Sequence, residues 1–154
     1  MSSSEIKVGI EAAYAQALKS FSEGGVPVGA SLLIDGEVVS VGHNQRHQKK
    51  SNILHGEMDC IENAGHDVDF TRATIFSSLS PCIMCSNAIL LFRIPRLVIL
   101  DDTNTGDFET NVDFLRGKGV EVIIKEHGPS MELNRRFQTE PETRPLWMAD
   151  VGIS

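Results

Sequence analysis

Three short runs are mostly apolar: ATIFSSL (Ala73–Leu79), RLVIL (Arg96–Leu100) and VEVIIK (Val120–Lys125). A strand with one wet face alternates apolar and polar residues, so runs like these belong to strands covered on both faces. Helical stretches lie between them, CIMCSNAILLF after Pro81 and a shorter one near Val112–Leu115. Strand, helix, strand in that order implies parallel crossovers. Upstream, VPVGASLLI and EVVSVGHN flank Asp35-Gly36, which predicts an antiparallel hairpin. An opening helix from Ser4 and Glu5 places Ile6, Ile10, Ala13, Ala17, Leu18 and Phe21 on one face and stops at Gly24-Gly25. Further helices are predicted over Leu54–Ala64 and Met131–Phe137. The order α-ββ-α-β-α-β-α-β-α predicts an α/β fold, an α/β/α sandwich around a five-stranded mixed sheet.

The chain has 154 residues and no linker, repeat or low-complexity segment, so 1–154 reads as a single domain. Its net charge of −7 argues against a phosphate-backbone binder. The basic cluster Arg46–Lys50 (RHQKK) reads as a solvated loop. No run approaches the roughly 18 apolar residues of a membrane helix. The start, MSSSEIKVGIEAAY, has neither the basic stretch nor the apolar core of a secretory signal. Three cysteines, two of them close together, suit reduced thiols in a cytoplasmic protein rather than a disulfide framework.

The chemistry sits in H-G-E at His55, Gly56 and Glu57 and in P-C-I-M-C at Pro81 to Cys85. Zinc takes imidazole and thiolate ligands, and a catalytic zinc keeps three protein ligands and a fourth position for water. Cys82 and Cys85 are three apart at a predicted helix start, so both sulfurs fall on one side. The partial positive charge of a helix N-terminus favours their thiolates. His55 also precedes a helix, so two helix starts can converge on one zinc per subunit. Glu57 is two residues from His55, too short a step to share a helical face with it. At a helix start it can instead stand beside the water that zinc acidifies and carry its proton. H-x-E with P-C-x-x-C is the known signature of zinc nucleobase deaminases.

Other readings of these residues stay open. C-x-x-C alone also suits a redox pair or half of a structural zinc site, with Cys60 as a further ligand. Cys60 shares a predicted helix with Met58 and Ile61 and reads as a small buried apolar residue. His43, His47, His66 and His127 lack ligand spacing and read as surface or core residues. A redox pair leaves H-G-E unexplained.

Together with GGVPVGA (Gly24–Ala30), GHNQR (Gly42–Arg46), LHGE (Leu54–Glu57), SLSPCIMC (Ser78–Cys85), IPR (Ile94–Arg96) and WMADVG (Trp147–Gly152), these motifs give the chain a resemblance over most of its length. It resembles the cytidine deaminase superfamily, and within it the fungal-type cytosine deaminases that act on free bases. The resemblance implies His55, Cys82 and Cys85 as zinc ligands and Glu57 as the catalytic proton shuttle. It implies that Asn44 and the Gly56 N–H bind the polar edge of the base, with Leu79 and Ser80 lining the pocket through backbone groups. Trp147 and Asp150 would close the far side, with 141–154 as a lid. Phe108, in the loop after the fourth strand, would supply an aromatic wall, and the assembly would be a homodimer. An amide both donates and accepts, which suits an O=C–N edge, and Trp offers a flat apolar wall. Trp147 reads equally as an anchor packed on the core, and Asn44 also as a turn residue. Between the cysteines stands Ile83, where the fungal-type enzymes carry Asp.

The expected function is zinc-dependent hydrolysis of a free nucleobase, cytosine to uracil and ammonia, in pyrimidine salvage. The expected partner is that small molecule, with neither nucleic acid nor membrane. The alternatives are deamination of another amino-substituted heterocycle (a modified pyrimidine, a purine or a catabolic intermediate), adenosine deamination in tRNA, which needs a basic groove, and a non-catalytic zinc-stabilised binding module, which has no use for Glu57.

Overall fold

A computed structural model describes residues 1–105 and 111–150. Helix α1 (Ser3–Ser22) opens in a capping box, with Ser2 Oγ accepting from the Glu5 N–H while the Glu5 carboxylate accepts from the Ser2 N–H. Strands β1 (Gly29–Ile34) and β2 (Glu37–His43) form the antiparallel hairpin. Its turn holds Asp35 and Gly36 at φ of 52° and 78°, the left-handed pair that matches strand twist. The remaining elements are α2 (Arg46–Lys49), α3 (Gly56–Ala64), a 3-10 turn (Phe70–Arg72), β3 (Thr74–Ser77), α4 (Ile83–Leu91), β4 (Arg96–Ile99), α5 (Val112–Gly117), β5 (Glu121–Ile124), α6 (Gly128–Thr139) and α7 (Arg144–Asp150).

The sheet runs β2-β1-β3-β4-β5, with β1 antiparallel to both neighbours and the β3–β4 and β4–β5 pairs parallel. The apolar runs are explained by period-two alternation into two cores. Ala30, Leu32, Ile75, Leu97 and Ile99 face α3, α4 and α5, together with Cys60, Ile89 and Leu115. Leu33, Phe76, Val98 and Leu100 face α1 at Ala13. Cys60 is thus a buried core residue. At Gly42 the backbone of α3 comes so close to β2 that an added Cβ would collide with the Cys60 amide nitrogen.

Three local departures from the sequence reading have physical causes. Helix α3 starts at Gly56 rather than Leu54, because His55 is its extended N-cap at ψ 164°. Helix α4 starts at Ile83 rather than after Pro81, because Cys82 is its N-cap at ψ 177° and its Sγ accepts from the Cys85 N–H. The basic cluster winds into the short helix α2, closed by Lys50 in the left-handed region.

Candidate active site

Residues that cap helices are extended and turn their side chains toward the first turn. Two such caps meet at one point. His55 Nδ1 lies 3.3 Å from Cys82 Sγ and 3.6 Å from Cys85 Sγ, and the three donor atoms fall within 4.8 Å of one another. Bonds of about 2.0 Å to imidazole and 2.3 Å to thiolate place tetrahedral donors about 3.5 Å apart, so the trio fits zinc with one position left open. Without metal the three donors hold their protons unequally. The Cys82 thiol is brought down to about 4 by the hydrogen bond from Cys85 and by His55. Cys85 rises well above the ordinary thiol range, because its proton is shared with Cys82 and it is buried. Burial works to lower the His55 pKa, but the Cys82 thiolate and the Asp150 carboxylate reverse this and raise it to about 9.

The donors open onto a cavity of about 260 Å³. Its wall includes Glu57, Asn44, Leu79, Ser80, Asp150 and Arg46. Glu57 is 3% exposed, and burial, reinforced by Cys82, lifts its carboxyl above the usual range. Asn44 is buried. Its Nδ2 donates to Asp150 Oδ1 at 2.8 Å and its Oδ1 accepts from the Arg46 N–H at 3.0 Å, an Asx-type turn that also aims the amide into the cavity. Asp150 Oδ1 stands 3.7 Å from His55 Nε2, so α7 reaches the metal ligand itself.

Leu79 and Ser80 belong to the segment between β3 and Cys82, which a buried polar cluster fixes. The Ser80 N–H donates to the Asp101 carbonyl at 2.8 Å, and Asn134 Nδ2 donates to both the Ser78 carbonyl and Asp101 Oδ2. Burial opposes ionisation of Asp101, but bonds from Asn134, Asn104 and Thr103 hold its carboxyl below the usual range. The Leu79 carbonyl accepts from Ser77 Oγ at 2.7 Å, while Ser80 Oγ has no partner among the described residues. Gly56 packs against the Val28 carbonyl, and as the first residue of α3 its N–H has no acceptor within the helix. Trp147 does not line the cavity. It is 1% exposed and packs with Phe137, Val26, Val28 and Leu79, directly behind two wall residues. Phe108 lies outside the described residues. Ile83 is 70% exposed and takes no part in the wall.

Arg46 escaped the sequence reading. Its cluster is polar and charged, which marks solvent, yet its guanidinium donates to the Ala149 carbonyl at 3.1 Å and to Asp150 Oδ1 at 3.4 Å. The available signal was its position two residues after Asn44 in GHNQR, where an Asx turn brings both side chains to one cavity.

Comparison with known proteins agrees with this geometry. The cytosine deaminase of Candida albicans is 40% identical over 149 residues, which are 95% of this chain and 96% of that protein. A tRNA-specific adenosine deaminase of Streptococcus pyogenes is 36% identical over 92 residues, 58% of each chain. A solved tRNA:A34 deaminase superposes with a TM-score of 0.72 at 26% identity, covering 82% of this chain and 99% of that one. The pattern of the cytidine and deoxycytidylate deaminase zinc-binding region matches residues 3–101. The chain therefore belongs to the cytidine and deoxycytidylate deaminase family and is a zinc-dependent deaminase.

Proposed function

We propose that the chain hydrolyses free cytosine to uracil and ammonia. The observation that carries this reading is the closure of the cavity by Asp150 of α7, bonded to Asn44, over a space of base size. The full-length likeness to a cytosine deaminase supports it, whereas the likeness to the tRNA deaminase of S. pyogenes spans only part of each chain. His55, Cys82 and Cys85 hold zinc, which when bound supplies an acidified water as nucleophile. Glu57, beside the donors, would take up a proton and pass it to the ring nitrogen of the base, and would then carry a second proton to the amine, which leaves as ammonia. A carboxyl raised by burial takes up a proton more readily than a solvated one, which suits this traffic. Asn44 and the Gly56 N–H meet the O=C–N edge, and Asp150 accepts from the amine. Leu79 and Ser80 form one side of the pocket, and Trp147 backs it.

The same reading makes 1–154 one domain with 141–154 as a lid, and the protein a cytoplasmic homodimer serving pyrimidine salvage. The dimer is supported by helix α4, which leaves the apolar side chains of Ile83 and Leu91 70% and 74% exposed. No described helix is long and apolar enough to cross a membrane. The test is ammonia release from cytosine by the zinc-loaded protein, run beside adenine, guanine and a tRNA anticodon stem. Cytosine turnover is expected. Turnover of a purine or of tRNA in its place, or of no free base, overturns the proposal.

A further inference from the structure

An amide reads an O=C–N edge only when its donor and its acceptor face that edge together, so the backbone that carries Asn44 must hold one angle. The Asn44 N–H donates to the Val28 carbonyl at 2.9 Å. The Asn44 carbonyl lies 2.9 Å from His43 Nδ1 and 2.9 Å from Ser20 Oγ. The Ser20 hydroxyl has one proton and lies closer to the Val26 carbonyl, at 2.6 Å, so that proton goes to Val26. A carbonyl only accepts, so His43 Nδ1 carries a proton and donates it to Asn44. We propose that His43 is a positioning residue for the substrate: its Nδ1–H holds the Asn44 carbonyl, and through it the angle at which the Asn44 amide meets the base.

The inference rests on the reading of Asn44 as a group that binds the base, and names what aims it. His43 does not line the cavity, so it acts through Asn44. It is 3% exposed and ends β2, where its neighbours fix it on two sides. Its own N–H donates to Asp59 Oδ2 of α3 at 3.0 Å, and Asp59 also accepts from Gln45 Nε2. Its Nε2 lies 3.4 Å from Glu23 Oε1, just past the end of α1. A half-turn of the ring would put a carbon in place of each nitrogen and lose both contacts, so the ring has one orientation. The Asn44 carbonyl shares its rigid peptide plane with the Gln45 N–H, which donates to the Leu54 carbonyl at 2.8 Å. That plane is thus held at both ends, by His43 at the oxygen and by Leu54 at the nitrogen. Without the His43 donor one end is free to tilt, and the Asn44 side chain turns with it.

Asparagine and glutamine separate the two ring nitrogens. An Asn side chain places its Nδ2 where histidine has Nδ1, whereas Gln reaches toward Nε2 instead. Zinc-loaded parent, His43→Asn and His43→Gln are titrated calorimetrically with uracil, so no turnover is needed, and each is unfolded in urea. His43→Asn removes more volume and should have the lower urea midpoint, yet it is expected to bind uracil within about twofold of the parent, because it keeps the donor. His43→Gln is expected to bind uracil about tenfold more weakly, the factor that one hydrogen bond supplies. With cytosine its KM should rise likewise while kcat holds, since Glu57 and the metal donors are untouched. Uracil binding by His43→Gln equal to the parent's overturns the proposal. So does a loss in His43→Asn as large as that in His43→Gln, or larger, since affinity would then follow the urea midpoints and His43 would be merely structural. A parent that binds no uracil overturns the deaminase reading and this inference with it; where the parent binds, the order of the two variants decides this inference alone.

Discussion

Adding zinc to the metal-free protein near pH 7 is expected to release about two protons from its ligands. The count follows from the donors. His55, raised to about 9, enters as the imidazolium and gives up one proton. Cys82, lowered to about 4, is already a thiolate and gives none. Cys85, well above the ordinary thiol range, gives one. Because binding expels protons, affinity rises with pH, by about two decades per unit in the window between the Cys82 and His55 values. Below that window Cys82 is protonated too, and the slope steepens toward three; above it His55 is already neutral, and the slope falls toward one. Isothermal titration in buffers of different ionisation enthalpy measures the count. Glu57→Gln protein is the right material, since its amide cannot titrate and the ligands are isolated. A Cys85→Ser change should lower the count to about one. Release near zero at pH 7 would refute the imidazolium–thiolate arrangement from which the number was worked, whereas a fraction beyond two is the ionisation of the water that zinc acidifies.

Glu57→Gln should lower kcat by about 10² to 10⁴, the usual worth of a positioned proton carrier, while thermal stability holds or rises because a buried carboxyl no longer has to be accommodated. In metal-free protein at pH 6, iodoacetamide should modify Cys82 first and spare Cys85 and Cys60, the latter pushed up to about 12 by burial; peptide mapping reads this, and zinc should protect Cys82. Gly42→Ala should cost about 2 kcal/mol or more in urea unfolding, since the new methyl meets the backbone of α3 rather than a side chain that can yield.

Strands β1, β3, β4 and β5 were legible because their residues divide between two cores, which leaves an apolar run that periodicity alone detects. The metal donors were legible because His55 and Cys82 are helix caps, and caps have local spacing rules. The Arg46 contact with α7 was not legible, because its partners lie 103 and 104 residues away and no local pattern encodes that distance. The Asp101–Asn134 support was hidden for the same reason, with buried polar residues joining loops far apart in sequence. Trp147 offered two readings from sequence, and its packing with Phe137 shows it anchored on the core.

His55, Cys82 and Cys85 all emerge from the ribosome well before Asp150, which follows Cys85 by some 65 residues, from position 85 to 150. At about 5–20 residues per second that interval lasts roughly 3–13 s. All three donors are thus made while the chain is still growing, and α7 follows to cover the cavity they open onto.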